Sequence, residues 1–428
     1  MHRKYKNLIS ILLKTICLLL CGAVFGTLLL TIVFSIPVDK ILANYQTIGL
    51  ASIDQRDGWH KYLVDYDAST LDNNTEWLML KVSATPPPQT GENTLQRALR
   101  CYTLNSEWNH GLSFRQYEWK GQAYSCDSYE RYWHGYAVLL KPLLCIFTYT
   151  DIVFINFAMQ MFIMFLILHM LGKRNMKQLQ MPFLFFWMAS MQTIISFCLD
   201  YSICFYIYAV SVLLLLYQPK FGGGRYPYFF LLIGMVTSYM DLLTWPIVTL
   251  AVPLMILVQM EINEQGIVRK IVTSAFFWGI GYIGQWASKW VIASLFLDDN
   301  IIKDAAKQFL LRSSIMTGDT GGDSSWVATI RRNLSVFDKN GFKLLFIVIA
   351  IWLIYTILRK KGELQWKKAI PYLLISAFPF LWYLLTRNHA AEHYWMTWRI
   401  LAVSLFAVCC AAVSVAENGN NIDGFKSQ

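Results

Sequence analysis

Apolar stretches long enough to cross a bilayer recur along this chain, and one long polar segment separates the first of them from the rest. A hydrocarbon core about 30 Å thick is crossed by roughly twenty helical residues, and runs of that length cannot be kept in water. With 56% hydrophobic and only 15% charged residues over 428 positions, the sequence reads as an integral membrane protein. Spans are expected near 8–36, 151–171, 181–198, 201–217, 226–240, 242–260, 271–296, 342–358, 369–386 and 397–416. A backbone that crosses lipid must satisfy its own hydrogen bonds, so each should be a helix. The expected fold is an all-α polytopic membrane protein of about ten transmembrane helices. A large first extracytoplasmic loop, 37–150, is expected to carry interfacial helices, and 417–428 to form a cytoplasmic tail. The first segment is too long for a signal h-region and has no small-residue cleavage site, so it reads as an uncleaved helix.

Charge gives the orientation. Every second link collects cations: Arg3, Lys4 and Lys6; Lys173, Arg174 and Lys177; Lys220 and Arg225; Arg269 and Lys270; Arg359, Lys360, Lys361, Lys367 and Lys368. Among the short links of the other set only Arg387 appears. By the positive-inside rule the basic links and both termini are cytoplasmic, in a plasma (inner) membrane. The net charge of +10 is then orientation signal and contact with anionic lipid, and no nucleic-acid partner is needed. The segment from Tyr132 to Tyr149 is apolar, but counting it as a span would invert every later link. It reads as an interfacial or re-entrant helix bent near Pro142.

The groups able to do chemistry gather on the outer side. Between Pro37 and Gly135 lie 12 of the 27 acidic residues, against nine Lys and Arg. Asp54 and Asp57 lie in one cluster, Asp72 and Glu76 in another. The i,i+4 spacing of Asp72 and Glu76 places both on one side of a short helix, either as cap and first-turn support or as a general base at the membrane surface. Arg131 and His134 sit within one turn, among aromatics suited to an interface, where a lipid phosphate would find a cation. The last outer link holds Arg387, His389, Glu392, His393 and Arg399. His389 and His393 can share a face, yet HAAEH is not the HEXXH zinc motif, and a phosphate cradle is the better reading. Asp241 and Lys289 are charges within or beside spans and so are candidates by default. Cys101 and Cys126 lie in the outer loop, where a disulfide and two free thiols are equally open. GGG at 222–224 lacks the Lys-Ser/Thr of a phosphate loop, so no nucleotide site is expected on the cytoplasmic side.

Cytoplasmic N-terminus, first helix, long acidic outer loop and following helical bundle together resemble the GT-C class of multipass glycosyltransferases. LDNNTEWLML, RYWHGY and TSYMDLLTWPIVTL also look like segments of an uncharacterised bacterial multipass group. The GT-C resemblance implies a polyprenyl-phosphate sugar as donor and a glycan or glycolipid as acceptor. It also implies a loop carboxylate as base, here Glu76 or Asp72 with Asp54 and Asp57 behind them. Arg131, His134, His389, His393 and Arg399 would hold the phosphate, and Asp241 and Lys289 would line the cavity. The class's acidic pair soon after the first helix is not evident here: Asp54 and Asp57 are spaced apart, and Asp72 and Glu76 come much later. No cofactor is expected, with a divalent metal left open. A transporter or flippase of lipid-linked saccharide, and a glycan polymerase or ligase, are the rival readings.

Overall fold

The computed structural model describes residues 2–45, 58–85, 91–104, 126–218, 225–314, 323–360 and 363–416. Asp54 and Asp57 lie outside the described residues. The chain opens with α1 (His2–Phe34) and a short amphipathic α2 (Val38–Tyr45). A two-stranded antiparallel ribbon, β1 (Trp59–Lys61) with β2 (Thr70–Asp72), pairs Trp59 with Asp72 and leads into α3 (Asn73–Ala84). Then come α4 (Thr94–Arg100), a second small ribbon of β3 (Thr103–Leu104) and β4 (Cys126–Asp127), and α5 (Ala137–Leu144). At about 1.5 Å per residue, eight-residue α5 is too short to cross a bilayer.

The remainder is helical: α6 (Tyr149–Lys173), α7 (Gln180–Ala189), α8 (Gln192–Ser196), α9 (Leu199–Tyr217), α10 (Tyr226–Met240), α11 (Ile247–Met260), α12 (Ile267–Phe296), α13 (Ile301–Arg312), α14 (Trp326–Ser335), α15 (Asn340–Leu358), α16 (Ile370–Ser376), α17 (Phe378–Leu385), α18 (Arg387–Glu392), α19 (Tyr394–Thr397) and α20 (Leu401–Ala416). Among the described residues six stretches are helical, long and apolar enough to cross a membrane: Ile9–Phe34, Tyr149–Lys173, Leu199–Tyr217, Asn340–Leu358, Trp366–Leu385 and Tyr394–Ala416. Tyr226–Met240 and Ile247–Met260 are apolar but shorter. Where one span was expected at 181–198, the chain forms α7 and α8 with a break at Met191, whose φ is +52°.

Burial separates central from peripheral helices. Every residue of α11 from Ile247 to Gln259 is buried, which suits its apolar character on all sides. It packs against α9, α16 and α20 in the largest apolar core. By contrast α15 is as apolar but buries only Phe342 and Ile349, so most of its surface faces outward, as a lipid-facing helix requires. The closest crossing joins α10 to α12. A Cβ on Gly234 would stand 2.1 Å from the Trp278 carbonyl, and one on Gly281 would stand 2.1 Å from that of Leu231. Small residues let the two backbones touch here.

The loop that follows the first helix is not draped on the surface but keyed into this bundle. Trp133 is fully buried, donates Nε1–H to Gln285 O (2.6 Å) and packs on Tyr239. The Gly135 N–H donates to Tyr239 O (2.9 Å), and a Cβ on Gly135 would stand 2.5 Å from that same oxygen. Trp286 and Trp290 both donate to Arg131 O, at 2.9 and 3.0 Å. Aromatic residues suited to a membrane interface thus serve as bolts between loop and helices.

Candidate functional site

Two clusters of opposite character stand out, and α9 and the 389–399 segment connect them. The first is acidic. Asp72 closes β2 and caps α3, its carboxylate accepting from the Thr75 N–H (3.0 Å) and Thr75 Oγ1–H (2.9 Å). Burial pushes the Asp72 carboxyl above the ordinary carboxylate range, against the pull of the Thr75 bonds and the Arg399 charge. One turn on, Glu76 is 2% exposed and accepts from the Tyr149 hydroxyl at the start of α6 and from the Leu199 N–H at the start of α9. A helix N-terminus aimed at a carboxylate stabilises its ionised form. The cap accounts for Asp72 locally; Glu76 is instead held by two distant helices.

A carboxylate absent from the expected site completes this cluster. Asp200, in the first turn of α9, is fully buried; its Oδ1 accepts from the Tyr201 N–H (2.8 Å) and the Cys198 thiol (2.6 Å). Asp200 interacts electrostatically with Asp72 and Glu76. The balancing cation is Arg399, also fully buried, which donates to Trp395 O (2.9 Å) and Ala68 O (3.0 Å) and lies 4.2 Å over the Tyr201 ring. Arg399 thereby ties the first-loop ribbon to the C-terminal helices and places its charge beside Asp72 and Asp200.

The second cluster is basic. His389 Nε2–H donates to Leu243 O (2.8 Å), since a carbonyl can only accept, which leaves Nδ1 to accept from Arg312 Nη1 (3.1 Å). The same Nη1 donates to His393 Nε2 (3.2 Å). His393 therefore carries its proton on Nδ1, a buried donor with no partner among the described residues. The two rings lie 4.6 Å apart, on one face as their i,i+4 spacing suggests. Burial and the Arg312 charge keep both neutral, His393 being lowered to about 3 and His389 well below its ordinary value. Arg312 occupies the imidazole lone pairs that a metal would need, which argues against a zinc pair. Asp241 joins this cluster through its turn: it accepts from the Leu243 N–H (2.9 Å) and the Thr244 hydroxyl, and burial raises it to about 6.

Other candidates stand elsewhere. Arg131 pairs with Asp304 at 2.9 Å, and both side chains are partly exposed. His134, with φ +53°, bonds Tyr136 Oη (2.8 Å) and Tyr129 O (3.0 Å), and burial lowers it to about 3. Lys289 donates to Leu99 O (2.8 Å) beneath the Trp133 ring. Arg131 and Lys289 tie the loop to neighbouring helices and His134 braces a turn within the loop; none of the three bonds His389, His393 or Arg399. Cys101 and Cys126 are free thiols; Cys101 Sγ–H donates to Ala98 O (3.1 Å). An open pocket of about 420 Å³ lies at the loop–bundle junction beside Glu92, Arg100 and Asp298, and no candidate residue lines it.

Asp200 was legible as an acid beside a span, the usual sign of function in a membrane. Arg312 and Cys198 carried no such signal, because only folding brings α13 over α18 and the α8–α9 joint over Glu76. No family model, curated protein or solved structure matches this chain.

Proposed function

We propose that this chain is a GT-C-type membrane glycosyltransferase that moves a sugar from a polyprenyl-phosphate carrier to an extracytoplasmic glycan or glycolipid, with inversion. In this reading the chain crosses the plasma membrane ten times, keeps both termini in the cytoplasm and works at the outer leaflet. The supporting observation is the juxtaposition of the acidic and basic clusters. Arg399, beside Asp72, follows His393, bonded to Arg312, by six residues of mostly helical chain, about 9 Å of rise. That separation suits a base on one side of an anomeric carbon and a phosphate on the other.

Glu76 accepts the proton of the acceptor hydroxyl as that oxygen attacks the anomeric carbon. The bond from this carbon to the phosphate oxygen breaks on the opposite face, and the carrier phosphate leaves with the electron pair. Arg312 and the Nδ1–H of His393 stabilise the departing charge in a site shielded from water. Asp200 and Asp72, packed beside Glu76, keep a proton acceptor available, and Arg399 limits their mutual repulsion.

Transport of a lipid-linked saccharide is the second reading. It draws on the break at Met191 and on a buried network in which Gln192 donates to Gln160 (2.6 Å) and Asn156 and Gln160 both donate to Ser202 (2.8 Å each). One assay separates the two. Protein reconstituted with a radiolabelled polyprenyl-phosphate sugar and a glycolipid acceptor should form product, ignore nucleotide sugars, and lose about 10²- to 10⁴-fold in turnover on Glu76→Gln. Label that crosses the bilayer with its glycosidic bond intact, or near-normal transfer by Glu76→Gln, overturns the transferase assignment to this site.

A further inference from the structure

The acidic cluster contains a donor set that its role as a proton acceptor does not require. Glu76 from α3, Cys198 at the α8–α9 joint and Asp200 in α9 are all buried, and each presents one ligand atom within 4.8 Å of the other two. Glu76 lies more than a hundred residues before Cys198 and Asp200 in sequence. Asp200 supplies a separate indication: its Oδ1 is occupied by the Tyr201 N–H and the Cys198 thiol, while its buried Oδ2 has no partner among the described residues. A carboxylate oxygen removed from water without a donor is costly and is stabilised by a cation.

We infer that Glu76, Cys198 and Asp200 form a zinc-type divalent metal site at the outer end of α9. Two carboxylates and a thiol are a mixed oxygen and sulfur set, which suits zinc and disfavours magnesium or calcium, whose preferred ligands are all oxygen. Bonds of about 2.0 to 2.3 Å close such a triad around one ion. Binding displaces the Cys198 Sγ–H proton to solvent and leaves the thiolate as ligand; no electron is transferred. Three protein ligands leave a fourth position for an oxygen, a water or a substrate hydroxyl, whose proton the ion makes more acidic. The inference does not depend on the transferase reading, because metal uptake is measured without turnover. If both hold, the ion would make the acceptor hydroxyl more acidic, and Glu76, held as a ligand, would cede the role of base to neighbouring Asp72.

Purified full-length protein, stripped with chelator and titrated with cobalt(II), should take up about one ion per chain and show a thiolate-to-cobalt charge-transfer band. Zinc should displace it. Cys198→Ala should abolish the band and weaken uptake by more than the roughly 10- to 100-fold that loss of a supporting partner costs, whereas Cys204→Ala, in the next turn of α9, should leave both intact. Should Cys198→Ala fail to fold, wild-type protein still decides the question: the zinc-edge X-ray absorption of the loaded protein should show one sulfur at about 2.3 Å beside oxygen ligands. No cobalt uptake, a band that survives Cys198→Ala, or a zinc spectrum without sulfur overturns the site. In that event Glu76→Gln still reports on transfer through the activity assay alone.

Discussion

At the scale of single residues, equal charges have unequal surroundings. Arg131 and Arg312 both lie in links between long apolar segments, and the sequence favours Arg131 because His134 and aromatics flank it. In the fold Arg131 is spent on Asp304, a partly exposed ion pair of the kind worth about 0 to 1 kcal/mol. Arg312 faces two neutral imidazoles, neither of which cancels its charge. Arg312→Ala should therefore raise the KM for a polyprenyl-phosphate donor by roughly 10- to 150-fold, the equivalent of about 1.5 to 3 kcal/mol for a charge-assisted phosphate contact. Arg131→Ala should change it little. Donor titrations of the two variants check this, and a larger effect from Arg131→Ala would return the phosphate to the first loop. Asp72 and Glu76 divide in the same way, one satisfied by its own helix turn and the other by helices over seventy and over a hundred residues away.

At the scale of elements, the decisive features are close crossings and broken helices. The α10–α12 crossing depends on Gly234 and Gly281, because a Cβ at either would press on backbone, which cannot swing aside as a side chain can. Gly281→Ala should destabilise the protein by about 1 to 3 kcal/mol, the usual cost of overpacking a fitted interface. Thermal unfolding in detergent would register this as a lowered midpoint, and an unchanged midpoint would mean that the two helices separate freely. The crossing also links the loop to the site, since α12 presents Trp286 and Trp290 to Arg131 O and α10 ends in the Asp241 turn. Helix breaks serve a related purpose. At Cys198 and at Asp241 the backbone leaves helical geometry, so N–H groups of Leu199, Tyr201, Leu243 and Thr244 point at carboxylates instead of at carbonyls within a helix.

For the whole molecule, the charge of the links predicts which face each one meets. Asp298 lies exposed just beyond α12, and Glu264 lies exposed between α11 and α12. The alternation of basic links places Asp298 outside and Glu264 inside. In a background without accessible thiols, Asp298→Cys should react with a membrane-impermeant maleimide on intact cells, and Glu264→Cys should react only after lysis. The reverse pattern would invert the orientation and move both clusters to the cytoplasmic side. Peripheral α15 fits the same picture: its apolar, largely unburied surface is satisfied by lipid and would be untenable in water.

Apolar run length is a local property of the chain, so the helical membrane class could be read from sequence. The i,i+4 spacing of His389 and His393 likewise foretold a shared face. Tertiary structure alone decided which candidates meet. Asp72, Glu76 and Arg399 come together with Asp200 and Cys198, and His389 and His393 with Arg312, while Arg131 and Lys289 tie the loop to other helices and His134 braces a turn within it. The physical reason is separation along the chain: contacts across a hundred or more residues are set by how helices cross, and no local pattern of hydrophobicity or charge encodes a crossing made by two glycines.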